Sequence, residues 1–432
     1  MKKKSKELEY LRFLFSSHRF GTILGLERIT FILNKMNNPQ NSFKSIHIAG
    51  TNGKGSTSEI ISQILIEHGF KVGTYTSPHI KRFSERIKIN GKEINDKDLA
   101  FEIKKIKKVI DKKQKTDSDF NPTFFELGVA IAYNYFAGKK VDFGVIETGL
   151  GGRLDATNVL NPKIAVITNI SKEHTDYLGD TVEKIALEKV EIIKPECIAI
   201  TGETNKKILK IIRDKTVKEK VKLFESKKLC SVKNHSFNLI RQKLDLEVEG
   251  KKFKELEFAL LGKFQLKNLC TSVLAVKKLG IKFNEKKLKK ALKKVFISAR
   301  FEIKQKNPLV VFDAGHNPDC FEKIKETLLI LKKKKSFQKL ILLIGLSSDK
   351  NVEEISKIIF PLASKIIISK ASFRGMEITK IAGFAEKYNK PFIGFPDPDE
   401  AFDFALNETD KKDLLLAIGS IFFLGELNPE FD

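Results

Sequence analysis

Residues 44–69 read KSIHIAGTNGKGSTSEIISQILIEHG, a stretch that combines a strand, a glycine-rich turn and a helix in direct succession. The first six residues form a short run with two β-branched isoleucines, which predicts a strand, and the apolar spacing over 56–69 predicts a helix. Between them, Gly50, Gly53 and Gly55 let the backbone turn its N–H groups toward an anion. A strand, a turn of this kind and a helix are typical of a nucleotide-binding α/β sheet.

The turn AGTNGKGSTSE (49–59) also contains the side chains that phosphate binding needs. Lys54 can reach the terminal phosphates of a nucleotide, and Ser56 can bind Mg²⁺. The turn departs from the common GxxxxGK[ST] pattern, because Ile48 stands at the first glycine position and Gly55 separates the lysine from the serine. A glycine turn before a helix is often only a tight loop, but a lysine and a serine placed after a buried strand favour nucleotide binding.

Strand and helix patterns alternate along most of the chain, which predicts an α/β fold with a mostly parallel sheet. Further strands are predicted at 71–76, 141–147, 163–168 and 197–201, with helices at 97–113, 123–137 and 181–193. A second series of strands is predicted at 308–313, 340–345, 365–369, 392–395 and 414–419. We place the domain boundary near Val295–Arg300, which gives predicted domains of residues 1–296 and 297–432.

Residues 231–260 depart from this alternation. The segment SFNLIRQKLDLEVEGKKFKELEFAL alternates with period two around a glycine turn, which predicts antiparallel strands. Helical patterns follow at about 265–279 and 284–295. The predicted architecture is therefore a P-loop-type, mostly parallel sheet domain with an antiparallel strand appendage, followed by a smaller α/β domain.

Composition limits the classes of protein that the chain can belong to. Of 432 residues, 41% are hydrophobic, which suffices for sizeable cores and excludes wholesale disorder. The net charge is +25, but lysines are spread along nearly the whole chain, which favours solvated helix faces over a nucleic-acid surface. No apolar run reaches membrane-spanning length and the N-terminus lacks the features of a secretory signal, so we expect a cytoplasmic protein without a membrane or nucleic-acid partner.

The four cysteines, Cys197, Cys230, Cys270 and Cys320, lie dozens of residues apart. Such spacing suits reduced thiols in a cytosolic protein, and no CxxC or Cys/His pair indicates zinc. We therefore expect free thiols and no zinc site.

Polar residues occur where several predicted strands end. Ser77, Glu147 and His174 each follow a different strand of the first series, and Asp313 ends the first strand of the second. Ligands of open α/β sheets bind outside the carboxyl ends of the strands. A hydroxyl, a carboxylate and an imidazole there can hold Mg²⁺ together with phosphate oxygens and water. Each residue alone could be a loop polar group or a satisfied histidine, but their shared position favours a site.

Lys189 lies on the apolar face of the helix predicted over 181–193, seven residues after Val182 and four after Ile185. Lysine is rarely buried without a partner. Two interpretations stay open: the stem can extend to solvent, or the amine can be desolvated, with a lowered pKa and a reactive neutral form.

Seven motifs together carry a family resemblance. They are AGTNGKGST (49–57), TSPHIKRFSERIKING (76–91), FFELGVAIAY (124–133), ETGLGGRLDATN (147–158), HTDYLGDTVEKIALEK (174–189), DAGHNP (313–318) and GSIFFLGE (419–426). They resemble those of the folylpolyglutamate synthase/dihydrofolate synthase family of the Mur ligase superfamily, from about residue 20 to 427. The second and fourth motifs are typical of the folate branch rather than of the peptidoglycan enzymes.

The resemblance implies an ATP-binding N-terminal domain and a smaller Rossmann-like C-terminal domain, with the active site between them. The implied triphosphate site is Thr51, Asn52, Gly53, Lys54, Gly55 and Ser56, with further nucleotide contacts from Asn268, Arg300 and Asp313. The implied magnesium ligands are Ser77, Glu147 and His174, and Lys189 matches a family lysine that is carbamylated by CO₂ and supports a second metal. The pterin pocket of bifunctional members matches Thr123, Phe124, Phe125, Glu126, Leu154, Asp155 and Ala156.

The implied reaction is ATP-dependent amide formation. A folate or dihydropteroate carboxylate becomes an acyl phosphate, and the amine of L-glutamate then displaces phosphate. Lys54 would stabilise the transferred phosphoryl group. His316 is a candidate base for the amine, although a helix-capping or structural histidine is an equally good interpretation. Because the segments 123–126 and 154–156 are intact, we favour a bifunctional enzyme, and we expect a monomer, as is usual in the family.

Two other functions deserve comparison with this one. A Mur-type ligase for a cell-wall nucleotide would share the ATP site but not the folate-type motifs. A P-loop NTPase acting on nucleic acid would explain the charge of +25 but again not those motifs, and the sequence has no guanine-reading NKxD.

Overall fold

A computed structural model describes residues 10–17, 21 and 23–428 of the chain. Its contacts divide the chain into two units. The first comprises Met1–Lys233, Asp245–Leu256 and Lys267–Val295, and the second comprises Asn234–Leu244, Glu257–Leu266 and Phe296–Asp432.

The first unit is built on an eight-stranded sheet. Its strands are β1 (Lys44–Ala49), β2 (Val72–Tyr75), β3 (Ile87–Ile89), β4 (Lys92–Glu93), β5 (Phe143–Glu147), β6 (Ile164–Ile167), β7 (Ile198–Thr201) and β8 (Lys222–Glu225). They lie in the order β4-β3-β2-β5-β1-β6-β7-β8. Strands β2, β5, β1, β6, β7 and β8 run parallel to one another, and β3 pairs antiparallel with β2 and with β4. The central β5 and β6 are buried along their whole length, as expected of parallel strands covered on both faces.

Helices follow most of these strands. They are α1 (Glu27–Lys35), α2 (Lys54–Glu67), α3 (Asp96–Gln114), α4 (Phe124–Gly138), α5 (Thr175–Leu178), α6 (Val182–Val190), α7 (Lys206–Lys218), α8 (Ser226–Leu229), α9 (Phe264–Lys278) and α10 (Glu285–Lys294). One buried apolar cluster contains side chains of α1, α3 and α4, and a second contains side chains of α6 and α7. Buried apolar contacts thereby pack these helices together in two clusters within the first unit.

Three strands form a separate small sheet. They are β9 (Cys230–Phe237), β10 (Gln242–Val248) and β11 (Lys251–Phe258), in the order β11-β10-β9. The turn Glu249–Gly250 joins two hydrogen-bonded neighbours with only two residues, which requires them to be antiparallel. The predicted strand appendage is thus confirmed.

The second unit contains a six-stranded sheet in the order β12-β13-β17-β14-β15-β16. Its strands are β12 (Glu302–Lys306), β13 (Leu309–Asp313), β14 (Leu340–Gly345), β15 (Lys365–Ile368), β16 (Phe392–Gly394) and β17 (Leu414–Gly419). Its helices are α11 (Pro318–Lys333), α12 (Val352–Ile359), α13 (Ile378–Lys387), α14 (Pro398–Asn407) and α15 (Ile421–Glu426). Only β12, at the edge, pairs antiparallel. The α/β fold class predicted from the sequence is therefore confirmed in both units. None of the helices that the structure describes is at once long and apolar enough to cross a membrane.

The cysteines correct one expectation. Cys230, at the start of β9, and Cys270, in α9, form a disulfide across 40 residues of sequence, whereas Cys197 and Cys320 are free thiols. The expectation of four free thiols was therefore wrong. Spacing could not reveal the pair, because only the packing of α9 brings the two residues together.

The disulfide predicts a thiol count. Protein unfolded without reductant should titrate two thiols, and four after reduction. A cross-link that closes a loop of this size restricts the unfolded chain, so Cys230→Ser should lower the free energy of unfolding by about 2–4 kcal/mol in urea titrations. Cys320→Ser, which removes a free thiol, serves as the control. Four thiols in the unreduced protein would contradict the pairing.

Candidate active site

The turn between β1 and α2, residues 50–55, is called here the glycine loop. Gly50 and Gly53 have φ of +151° and +84°, a region that side chains rarely occupy. A Cβ added to Gly50 would overlap the Thr168 side chain, and one added to Gly53 would lie 2.5 Å from Asn268 Oδ1. Glycine is therefore required at both positions for conformation and for space, and Gly53 is the N-cap at which α2 starts.

Residues that follow β6 hold the glycine loop. Asn169 accepts hydrogen bonds from the loop, with its carbonyl 2.7 Å from Thr51 N and its Oδ1 2.9 Å from Asn52 N. Thr168 Oγ1 donates to Asn52 O at 2.8 Å. The N–H groups of Thr51 and Asn52 thus shape the loop, which leaves the first turn of α2 as the place where an anion would meet helical N–H groups. Sequence reasoning missed Thr168 and Asn169, which carried no signal except their position after a strand.

Two lysines converge on one carbonyl of the glycine loop. Lys54 Nζ donates to Gly50 O at 3.0 Å and to Thr51 O at 3.1 Å. Lys189 Nζ, on α6, donates to the same Gly50 O at 3.0 Å. Two lysine amino groups are thereby held close together at the predicted phosphate site.

Lys189 is 3% exposed, so its stem does not extend to solvent. Burial, and secondly the charge of Lys54, lower the pKa of Lys189 to about 7, while the charges of Glu173 and Asp155 oppose the shift. Near neutral pH a large fraction of this amine is therefore uncharged and nucleophilic. Of the two interpretations left open by the sequence, the structure shows the desolvated amine.

Glu147 and Ser77 meet beside α2. Glu147 ends β5 with a 4% exposed side chain, and its Oε2 accepts a hydrogen bond from Ser77 N at 3.2 Å. A Cβ built on Gly55 would lie 3.6 Å from the same oxygen, so the carboxylate lies against the first turn of α2. The strand order explains this meeting, because β5 lies between β2, which precedes Ser77, and β1, which precedes the glycine loop.

His174 follows β6, on the other side of β1 in the sheet order. It is the N-cap of α5 with a left-handed φ of 53°, and its Nε2 lies 3.8 Å from Glu173 Oε1. The structure thus places His174 after a strand that neighbours β1 and pairs it with Glu173.

These side chains suit a magnesium ion. The Glu147 carboxylate and the Ser77 hydroxyl are hard oxygen donors, which Mg²⁺ prefers. Among residues 10–17, 21 and 23–428, no group of three or more His, Cys, Asp and Glu side chains could hold a metal. An ion here would thus depend on phosphate oxygens and water, which is how Mg²⁺ usually binds in nucleotide sites.

The first predicted pterin segment forms the start of α4. Thr123 and Glu126 cap the helix reciprocally, and Glu126 Oε2 also accepts from Arg28 Nε at 3.0 Å. The Phe124 ring packs edge-on against Phe83 with centroids 5.4 Å apart. Glu126 Oε2 and the Thr123 hydroxyl therefore have structural partners that the sequence did not reveal, whereas Glu126 Oε1 is buried without a hydrogen-bond partner among the described residues.

The second predicted pterin segment, Leu154–Ala156, lies in the loop that follows β5. Gly149 of this loop lies against the Phe125 ring, which a Cβ at Gly149 would overlap. The buried Asp155 carboxylate accepts from Leu150 N at 2.7 Å, which folds the loop back on itself. The structure thereby brings the loop of the second segment against the start of α4.

Asp313 and Arg300 lie in the second unit. The Asp313 carboxylate is buried and accepts from Phe301 N and Gly315 N, each at 2.7 Å. Burial raises the pKa of Asp313, and the charge of Arg300 opposes that shift. Asp313 therefore organises the backbone around Arg300 and the following loop.

His316 lies in the loop between β13 and α11. Its Nδ1 lies 3.0 Å from Ala314 O, and a carbonyl only accepts, so Nδ1 carries the proton. In the neutral ring Nε2 is then the basic nitrogen. Asn268, in contrast, lies in the first unit against Gly53, so the predicted nucleotide contacts are divided between the units.

Comparisons with known proteins agree with the family resemblance of the sequence motifs. The Mur ligase middle domain matches residues 48–276 and the Mur ligase glutamate ligase domain matches residues 299–421. The dihydrofolate synthase/folylpolyglutamate synthase of Bacillus subtilis is 31% identical over 415 residues, 95% of each chain. Mycobacterium tuberculosis folylpolyglutamate synthase complexed with ADP and AMPPCP aligns with a TM-score of 0.90 at 26% identity, covering 98% of this chain and 97% of that one. Escherichia coli FolC in complex with DHPP and ADP aligns with a TM-score of 0.84 at 26% identity, covering 97% and 96%. The chain therefore belongs to the folylpolyglutamate synthase/dihydrofolate synthase family of Mur ligases, which are ATP-dependent enzymes that form carbon–nitrogen bonds.

Proposed function

We propose that this ligase uses ATP to join L-glutamate to a folate, lengthening tetrahydrofolate by glutamate residues, and to dihydropteroate, giving dihydrofolate. The relatives named above include an enzyme with both activities in its name and a structure that contains DHPP and ADP. The enzyme acts as a monomer in this proposal.

The observation that carries the proposal is the position of Glu147. Its buried carboxylate lies between Ser77 N and the first turn of α2, where the glycine loop presents Lys54. A carboxylate in that position, next to a cationic loop and a helix N-terminus, suits a magnesium–triphosphate group. Ser77, Glu147 and His174 would hold the ion, which neutralises phosphate charge when it is bound.

The Lys189 amine fits a further role. It is buried, points at Gly50 O and has a pKa near 7. The neutral amine would attack CO₂ and lose one N–H proton to solvent, which gives a carbamate whose anionic oxygen pair could support a second metal ion. The same change would remove the repulsion between Lys189 and Lys54.

The first chemical step is phosphoryl transfer to the substrate carboxylate, which gives an acyl phosphate and ADP. Lys54 and the N-terminus of α2 stabilise the charge that spreads over the transferred group. The glutamate amine then attacks the acyl carbon, and phosphate leaves. That amine must lose a proton, and His316 Nε2 is the proposed acceptor in the neutral ring.

The assay that tests this function measures ADP release with dihydropteroate or tetrahydrofolate, each with and without L-glutamate. We expect ADP release that requires both partners for each pterin substrate, and mass spectrometry should show one added glutamyl unit per ADP. Activity with tetrahydrofolate alone would restrict the enzyme to polyglutamylation. ADP release that responds to RNA, DNA or a UDP-linked cell-wall precursor, and not to a pterin, would overturn the proposal.

A further inference from the structure

His47 is a fully buried titratable residue that the proposed chemistry does not use. It lies in β1, paired with Ile146 of β5 and Ala165 of β6, and is 0% exposed. Its Nε2 lies 2.8 Å from Thr157 Oγ1, whereas its Nδ1 has no hydrogen-bond partner among the described residues. A buried histidine with one unsatisfied nitrogen is less favourable in a strand core than an aliphatic residue, so its presence calls for an explanation.

The hydrogen bonds around Thr157 fix the positions of the protons. Thr157 Oγ1 also contacts Asp155 Oδ1, and an ionised carboxylate only accepts, so the threonine proton points to Asp155. His47 Nε2 must then be the donor to Thr157. This tautomer leaves Nδ1 as an acceptor, and an unpaired acceptor is tolerated better in a protein interior than an unpaired N–H.

The ring stays neutral at physiological pH. Burial, and secondly the charge of Lys194, lower the pKa of His47 to about 3. Lys194 itself donates to Asn158 O and Leu160 O, each at 2.6 Å. It therefore binds the backbone that directly follows Thr157. His47 is thus a fixed donor rather than a group that exchanges a proton during turnover.

The hydrogen bonds that lead from His47 through the Thr157 hydroxyl to Asp155 are called here the relay. The relay ends in the loop that follows Glu147. Asp155 accepts from Thr157 N at 3.0 Å and from Leu150 N at 2.7 Å, and Tyr133 donates its hydroxyl to Thr157 O at 3.1 Å. These bonds fix the turn on both sides of Asp155. Among the described residues, His47 is the side chain that donates to the Thr157 hydroxyl, and Asp155 is the side chain that accepts from it. The orientation of the Thr157 side chain therefore depends on His47.

We infer that His47 is a positioning residue for the pterin side of the site: acting through the Thr157 hydroxyl, its Nε2–H holds the Asp155 carboxylate and the turn Leu154–Ala156 in the orientation that binds substrate. The inference rests on the proposed function, which places that turn at the pterin. It adds His47, a residue of β1 three positions before the glycine loop, to the determinants of folate affinity.

Two pairs of variants separate the hydrogen bond from the volume of the side chain. His47→Leu and Thr157→Val remove the donor or the hydroxyl at nearly constant volume, and His47→Gln and Thr157→Ser restore them. We expect His47→Leu and Thr157→Val each to raise KM for tetrahydrofolate about tenfold, with KM for ATP within about twofold of wild type. The restoring variants should return KM for tetrahydrofolate to within about threefold. The double variant His47→Leu/Thr157→Val should do no more than either single change, because both break one relay.

His68→Leu is the matched control, since His68 is a histidine of the same unit whose Nδ1 donates to Ile64 O of α2, the helix that His68 caps. It should leave KM for both substrates unchanged. Equal increases of KM for ATP and for tetrahydrofolate in His47→Leu would show a merely structural role, and an unchanged KM for tetrahydrofolate would also overturn the inference. If His47→Leu does not fold, His47→Met, which also lacks the donor, replaces it, because Thr157→Val removes the bond to Asp155 directly and tests only that half of the relay. Wild-type enzyme without folate-dependent turnover would overturn the proposed function and this inference together, whereas active wild type with an unaffected His47→Leu overturns the inference alone.

Discussion

Lys54→Met is expected to reduce glutamate-dependent ADP release by about 10²–10³-fold, the loss typical of a preorganised group that stabilises transition-state charge. The Lys54 ammonium lies 3.0 Å from Gly50 O and 3.1 Å from Thr51 O, so the glycine loop itself holds the charge where the phosphates would bind. Methionine keeps most of the stem and removes only the charge. The measurement is kcat with saturating ATP, because the lost contact acts chiefly on the transferred phosphoryl group.

Lys184→Met is the control for a change of net charge. Lys184 is a largely exposed lysine that pairs with Asp180 on the surface of α6, and exposed pairs contribute little. Its replacement should leave kcat unchanged. Normal ADP release from Lys54→Met would show that the glycine loop does not act on phosphate.

Removal of the Lys54 charge should also change the pKa of Lys189. The charge of Lys54 is the second cause of the low pKa of Lys189, after burial. Without that charge, the pKa of the Lys189 amine moves up toward its ordinary value. Part of the effect of Lys54→Met therefore passes through a smaller neutral fraction of Lys189, so the loss should be somewhat smaller at pH 8.5 than at pH 7.

The fold was predictable wherever apolar runs mark buried strands. The runs LVVFD, LILLIG and LLLAIG predict β13, β14 and β17 to within one residue. Strands that are buried on both faces consist of apolar residues in succession, and such runs are easily recognised in a sequence. The edge strand β12, EIKQK, was missed since its side chains are mostly polar, with none fully buried, a composition that is also typical of a loop. The antiparallel strands β3 and β4 were missed because three and two residues are too few to show a period-two alternation.

The candidate site was predictable only as far as local sequence determines it. The meeting of Ser77 with Glu147 follows from two strands ending at one edge of a sheet, a rule that needs no contact information. The supporting residues behave differently. Asn169 holds the glycine loop across 117 residues of sequence, and His47 reaches Thr157 across 110, and no local pattern predicts such pairs. The disulfide between Cys230 and Cys270 was mispredicted for the same reason.

Lys189→Met is expected to lower kcat by about 10²-fold or more while leaving the folded protein at least as stable as wild type. The amine is buried against Gly50 O, so the proposed carbamate is lost with it, whereas methionine fills a similar volume with an apolar group. Lys189→Arg should not restore activity, because a guanidinium stays protonated and cannot react with CO₂. A direct readout is the carbamate itself: wild type in ¹³C-bicarbonate should give a carbamate carbon signal by NMR that both variants lack.

The difference in stability between Lys189→Met and wild type should decrease as the pH rises. The pKa of Lys189 is about 7 in the folded protein and 10.5 as the ordinary value, so the unfolded chain binds more protons between these limits. Stability of wild type should therefore rise with pH from about 7 toward 10.5 relative to Lys189→Met, and below 7 the buried cation is at its most unfavourable. Urea unfolding in CO₂-depleted buffer at pH 6 and at pH 9 measures the difference, and Lys184→Met again serves as the control.

We expect the stability advantage of Lys189→Met over wild type to be large at pH 6 and smaller at pH 9. An advantage that does not change with pH would mean that the amine is not desolvated in solution, and would remove the physical basis for a reactive neutral lysine at this position.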